Sequence, residues 1–130
     1  FGFETANFLL QKDTGGKVKN DELRQAVIHL KNAGYSTHDI GIYLLCGIPG
    51  QKEADVVSSI DFVRRCGAKP ILAEYSPIPG TKMWVDAIAS SLFDIEREPL
   101  YHNNTILSCR NDDFSYEAYC RLKAMLQTKG

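Results

Sequence analysis

The chain of 130 residues is 44% hydrophobic, enough apolar content for one domain with a real core. Its formal charge of -1, with signs mixed along the chain, leaves no electrostatic footprint for nucleic acid or an anionic membrane. No apolar run approaches the roughly 18 residues of a spanning helix, and no basic stretch leading into an apolar signal core opens the sequence. A soluble, cytoplasmic protein is the default expectation.

Phe1 to Thr5 is short and aromatic and reads as a strand ending at Glu4. The chain opens on Phe rather than Met with that strand already ending, so it reads as a piece of a longer protein. Phe8, Leu9 and Leu10 suggest a helical turn, and Thr14-Gly15-Gly16-Lys17 a loop. The Gly-Gly-Lys does not make a phosphate cradle, because the first glycine of that pattern and a preceding strand are both missing.

Asn20 is a plausible N-cap, with Asp21 and Glu22 where a helix dipole favours acids. Leu23, Ala26, Val27, Leu30 and Ala33 then follow helical spacing, and Gly34 closes the helix. Ile42 to Cys46 is apolar without a break and ends at Gly47, Pro49 and Gly50, which predicts a strand buried on both faces. A helix is expected from about Glu53 to Cys66, with Val56, Val57, Ile60 and Val63 inward and Gly67 as its stop. Pro70 to Tyr75 reads as a third strand, its proline at the start where a missing N–H is tolerated.

Ser76-Pro77-Ile78-Pro79-Gly80-Thr81 forms a rigid turn, after which Thr81 is expected to cap a helix carrying Trp84, Ala87 and Ile88. Residues 90–113 are irregular, with Tyr101-His102-Asn103-Asn104 a polar knot. Ser115 caps a terminal helix that presents Ala118, Leu122, Met125 and Leu126. The order is strand and helix three times over, an α/β chain with three parallel strands and crossover helices. Three such strands are too few for a complete parallel sheet, so further strands are expected before Phe1.

Ligands of parallel sheets gather beyond the carboxyl ends of the strands. Those ends carry Glu4-Thr5, Gly47-Ile48-Pro49-Gly50 and Glu74-Tyr75-Ser76. Two glutamates on one rim can share acid–base work, or accept hydrogen bonds from a cofactor's amine or ribose. They can equally be solvated or paired with Lys or Arg. Gly47 and Gly50 would let a flat ring approach the backbone, or simply allow a tight turn. His29, His38 and His102 do not cluster, and no catalytic triad follows from spacing.

Cys46, Cys66, Cys109 and Cys120 form no C-x-x-C pair and read as structural thiols rather than metal ligands. Asn103-Asn104-Thr105 matches a glycosylation sequon by chance.

Four segments occur in an order that resembles radical S-adenosylmethionine enzymes. They are Gly2-Phe3-Glu4-Thr5, Gly15-Gly16-Lys17, Tyr43 to Gln51 (YLLCGIPGQ), and Ala73 to Thr81 (AEYSPIPGT). The likeness is to the group with cobalamin-binding domains, and Glu98 to Thr105 (EPLYHNNT) is similar to the segment that follows the barrel there.

The resemblance implies half of a partial TIM-type (β/α)6 barrel. Residues 1–89 would be its fourth to sixth strand–helix units, and residues 90–130 a post-barrel segment with a C-terminal helical extension. It implies S-adenosylmethionine and a 4Fe–4S cluster in the full-length protein, with cobalamin as a further candidate cofactor. The cluster would deliver the electron that cleaves the sulfonium to a 5′-deoxyadenosyl radical. Carried over by position, Glu4 and Thr5 would meet the amino-acid or ribose part of the cofactor. Gly47, Ile48, Pro49 and Gly50 would pack on adenine, and Glu74, Tyr75, Ser76 and Pro79 would close the sixth strand near cofactor and substrate.

The family's C-x-x-x-C-x-x-C loop is absent from these residues. The cluster ligands are therefore expected in a missing N-terminal half, and the chain alone is expected to be inactive and to self-associate over its uncovered apolar face. Two other readings stand beside this one. One is a non-catalytic α/β module that binds a ligand or partner; the other is a different parallel-barrel enzyme using Glu4 and Glu74.

Overall fold

The computed structural model describes residues 2–4 and 19–127. The turn expected at Phe8–Leu10, the loop at Thr14–Lys17, and Thr5 lie outside them. Among the described residues, three strands form one parallel sheet in the order β1 (Gly2–Glu4), β2 (Gly41–Cys46), β3 (Lys69–Glu74). Gly2 pairs with Tyr43 and Glu4 with Leu44, in parallel. The Lys69 N–H donates to Ile40 O and the Tyr75 N–H to Cys46 O, so β2 and β3 keep one register from end to end. Four α-helices among the described residues accompany the sheet: α1 (Asn20–Asn32), α2 (Glu53–Cys66), α3 (Trp84–Ser90) and α4 (Tyr116–Gln127). No helix among the described residues is long and apolar enough to cross a membrane.

The chain divides into two compact units, Phe1–Leu44 with Ala54–Leu72, and Leu45–Glu53 with Ala73–Gly130. In the first, Leu23 and Val27 of α1 and Val56, Ile60 and Val63 of α2 are buried, as their spacing predicts, whereas Val57, also expected inward, is only half-buried. Phe62 joins them and stacks on Phe3 of β1, ring centroids 5.6 Å apart. Burial of each such side chain is worth about 1.5–3 kcal/mol.

Helices α1 and α2 end by the same device. At Gly34 (φ 102) the Gly34 N–H donates to Lys31 O and the Tyr35 N–H to Leu30 O. At Gly67 (φ 88) the Gly67 N–H donates to Arg64 O and the Ala68 N–H to Val63 O. A left-handed residue is needed to turn the chain back onto its own last carbonyls, and glycine takes that conformation without a Cβ clash.

Two local expectations are corrected. The cap of α1 is Lys19, extended and without a side-chain cap bond, and Asn20 is the first helical residue. The strand expected to be buried on both faces alternates instead. Ile42 and Leu44 are fully buried, whereas Tyr43 between them is 50% exposed. Successive side chains of a strand point to opposite faces, and at Tyr43 only one of those faces is covered.

In the second unit the buried set includes Ile48, Ile95, Leu107, Phe114 and Leu122. The segment from Ser91 to Ser115 has 3-10 turns at Pro99–His102 and Asn104–Ile106 and a two-residue bridge between Asn111 and Phe114. Helix α4 begins as expected, the Ala118 N–H donating to Ser115 Oγ at 3.1 Å. Helix α3 does not: Thr81 Oγ1 donates back to Ile78 O at 2.7 Å, and the cap of α3 is Met83. Thr81 therefore stabilises the preceding turn rather than the helix.

Candidate functional site at the strand ends

Each of β2 and β3 leads into the same tripeptide, Ile48-Pro49-Gly50 and Ile78-Pro79-Gly80. In both, the residue after the glycine donates its N–H to the isoleucine carbonyl, Gln51 to Ile48 and Thr81 to Ile78. Gly50 has φ 74 and Gly80 φ 81. Proline second and a left-handed glycine third are the requirements of a type II turn. The second unit thus repeats one rigid corner after each of two neighbouring strands.

The first corner is locked by Gln51, which is 1% exposed. Its Oε1 accepts from the Gly47 N–H at 2.7 Å, and its Nε2 donates to Leu45 O at 3.1 Å. A backbone N–H needs an acceptor and a carbonyl a donor, so the side-chain amide has one orientation. Gly47 also adopts a left-handed φ of 84, and a Cβ there would stand 3.0 Å from Leu107 Cδ2. The close approach that its missing side chain permits is thus used by Leu107 of the same unit. At Gly50 an added Cβ would meet nothing within 4 Å. Ile48 is buried and Pro49 half-buried.

Glu74 ends β3, its side chain 21% exposed. The Tyr119 hydroxyl donates to its Oε1 in a very short hydrogen bond, and Lys123 Nζ stands 3.4 Å from the same oxygen. Burial pushes the Glu74 carboxyl up, but the Tyr119 hydroxyl, the residue's own N–H and Lys123 together hold it below the usual value. The same burial and bond push the Tyr119 phenol far up, so it stays neutral. Cys46 at the end of β2 is raised to about 12 by burial first and by the Glu74 charge second, with Lys123 opposing. Its thiol is protonated at neutral pH and is no nucleophile.

Tyr75 and Ser76 are tied into the irregular segment. The Tyr75 hydroxyl is buried without a hydrogen-bond partner, and burial, with Cys109 and Asp86 adding, raises it to about 12. Ser76 Oγ donates to His102 O. The His102 ring, T-shaped to Trp84 at 5.3 Å, bonds through Nε2 to Ile95 O at 2.7 Å. A carbonyl partner requires the proton on Nε2. The polar knot is structural.

Of the residues expected at a site, Gly47, Ile48, Pro49, Gly50, Glu74, Tyr75, Ser76 and Pro79 all belong to the second unit. Glu4 ends β1 in the other unit, and its side chain, like Thr5, is outside the described residues. Cys46, Cys66, Cys109 and Cys120 are all free, and among the described residues no three His, Cys, Asp or Glu side chains gather as metal donors. Sequence reasoning overlooked Gln51 as the lock and Tyr119 and Lys123 as the partners of Glu74. The spacing of Tyr119 and Lys123, one helical turn apart, was the available signal, since such a pair shares a face. Neither a scan against protein-family models nor a search of the curated proteins finds a match for this chain.

Proposed function

We propose that the chain supplies the fourth to sixth strand–helix units of a radical S-adenosylmethionine barrel, half of a partial (β/α)6 ring, with its strand ends toward the cofactor. One observation carries this reading. In a single unit, the locked Gly47–Gln51 corner and the ionised Glu74 follow the carboxyl ends of neighbouring parallel strands, where ligands of such sheets bind. Half-exposed Tyr43 in mid-strand adds support, being an apolar surface of the kind that further strands would cover.

The residues fit a nucleoside ligand at two points. Gly50 has open space where a Cβ would stand, and Glu74 can accept hydrogen bonds from an ammonium or a ribose hydroxyl. Gly47 fits less well, its N–H taken by Gln51 and its open side by Leu107. The dispersed thiols fit no cluster, whose ligands on this reading come from outside these residues. When bound, the cluster supplies the electron that cleaves the sulfonium. This chain's residues would orient the cofactor and wall off water.

The test is to purify the whole protein without oxygen, assay iron and sulfide, and reduce it with dithionite in the presence of S-adenosylmethionine. The expected result is bound iron and release of 5′-deoxyadenosine; protein with neither overturns the reading. A non-catalytic ligand-binding module is the second reading. It is favoured by the internal satisfaction of the Gly47 N–H, the Ser76 hydroxyl and one Glu74 oxygen. It predicts binding of the nucleoside with no deoxyadenosine released.

A further inference from the structure

We infer that Tyr119 and Lys123 are positioning residues for Glu74: they clamp one carboxylate oxygen and leave the other to receive a hydrogen-bond donor of the ligand. The inference rests on the reading of Glu74 as a ligand acceptor. The second unit contains two glutamates engaged by α4, and they are engaged differently. Glu53 is gripped on both oxygens by one guanidinium, Arg121 Nε reaching Oε1 at 3.2 Å and Nη2 reaching Oε2 at 2.9 Å. That fork-to-fork pair uses the planar geometry of both partners and serves attachment. At Glu74 the Tyr119 hydroxyl donates to Oε1, and the approach of Lys123 Nζ at 3.4 Å is to that same oxygen. A carboxylate offers about four acceptor sites, so even with its own N–H facing it, Oε2 keeps capacity for a donor.

The clamp is itself held. Lys123 Nζ lies 5.5 Å from the centroid of the Tyr119 ring, Ser115 caps the helix, and Ala118 and Leu122 bury its inner face. Among the described residues, the groups that act on Glu74 are Tyr119 and Lys123 from α4 and Cys46 from β2. Both Tyr119 and Cys46 stay neutral, and Lys123 supplies a positive charge that favours the ionised carboxylate.

The experiment measures S-adenosylmethionine affinity of the whole protein against pH for wild type, Glu74→Gln, Tyr119→Phe, Lys123→Met and Lys123→Arg. Glu74→Gln is expected to weaken binding roughly 10- to 100-fold and to remove the acid limb of the profile. Tyr119→Phe and Lys123→Met each remove a group that favours the anion, so their acid limbs move to higher pH, and Lys123→Arg restores the wild-type limb. A purely structural role for α4 would lower affinity equally at every pH and leave the limb in place. Glu74→Gln weak but both α4 limbs unmoved overturns the clamp alone. Normal binding by Glu74→Gln, or none by wild type, overturns the site and the clamp with it.

Discussion

In the unit formed by Phe1–Leu44 and Ala54–Leu72, Leu23, Val27, Ile60 and Val63 are each fully buried, and helices α1 and α2 end on the same glycine closure. In the unit formed by Leu45–Glu53 and Ala73–Gly130, distant segments are joined by polar ties. Ser76 reaches His102, Ser91 reaches Ser108, Arg121 reaches Glu53 and Tyr119 reaches Glu74. Both units bury an apolar core, and the second adds side-chain bonds that join segments far apart in the chain. Precise placement of polar groups is what a binding site needs, and the candidate site belongs to the second unit.

The contrast is broken or sharpened first by an apolar truncation. Leu23→Ala removes a fully buried side chain from the first unit, and the expected loss is about 3 kcal/mol, read from the urea midpoint. A loss below about 1 kcal/mol would mean that the site collapses to fill the void and that its packing is loose.

A smaller but more pointed loss is expected from Gln51→Met. The substitution keeps the volume while stranding the Gly47 N–H and the Leu45 carbonyl, both bonded to Gln51. Leaving such groups unpaired costs about 2 kcal/mol. Amide exchange at Gly47 should rise with it. Unchanged exchange and stability would show that the corner is held by its Pro-Gly turn and not by the glutamine.

The same contrast explains what could be read from the sequence. Helix α2 is found with the bounds that its spacing and Gly67 imply, and Ser115 caps α4, because both signals lie within one or two turns of the residues they act on. The parallel order of the strands also follows from local pattern. The lock by Gln51, the return of Thr81 to Ile78 and the grip of α4 on Glu74 were not legible. The grip of α4 on Glu74 joins residues 45 apart, whereas Gln51 and Thr81 bond to backbone groups only a few residues back, which no pattern of side-chain types displays. Burial of β2 was misjudged for a related reason: an apolar run states what a strand can bury, whereas Tyr43 shows what its neighbours cover.

The smallest effect is a pH dependence that isolates one polar tie. Glu74 is held below its ordinary value of 4.5 in the fold. A depressed carboxyl contributes stability that is fully present above the unfolded value and is lost as pH falls through the folded one. Tyr119→Phe removes a donor that lowers it, so the folded value rises toward the unfolded one. The variant should therefore melt lower than wild type at neutral pH, and the gap should narrow as pH falls below about 4.5. Lys123→Met should behave the same way and respond less to added salt than wild type does, because the charge that salt screens is gone. A gap between wild type and Tyr119→Phe that stays constant down to low pH would mean that the hydroxyl bonds the carboxyl equally well protonated or ionised, and that Glu74 owes its ionisation to Lys123.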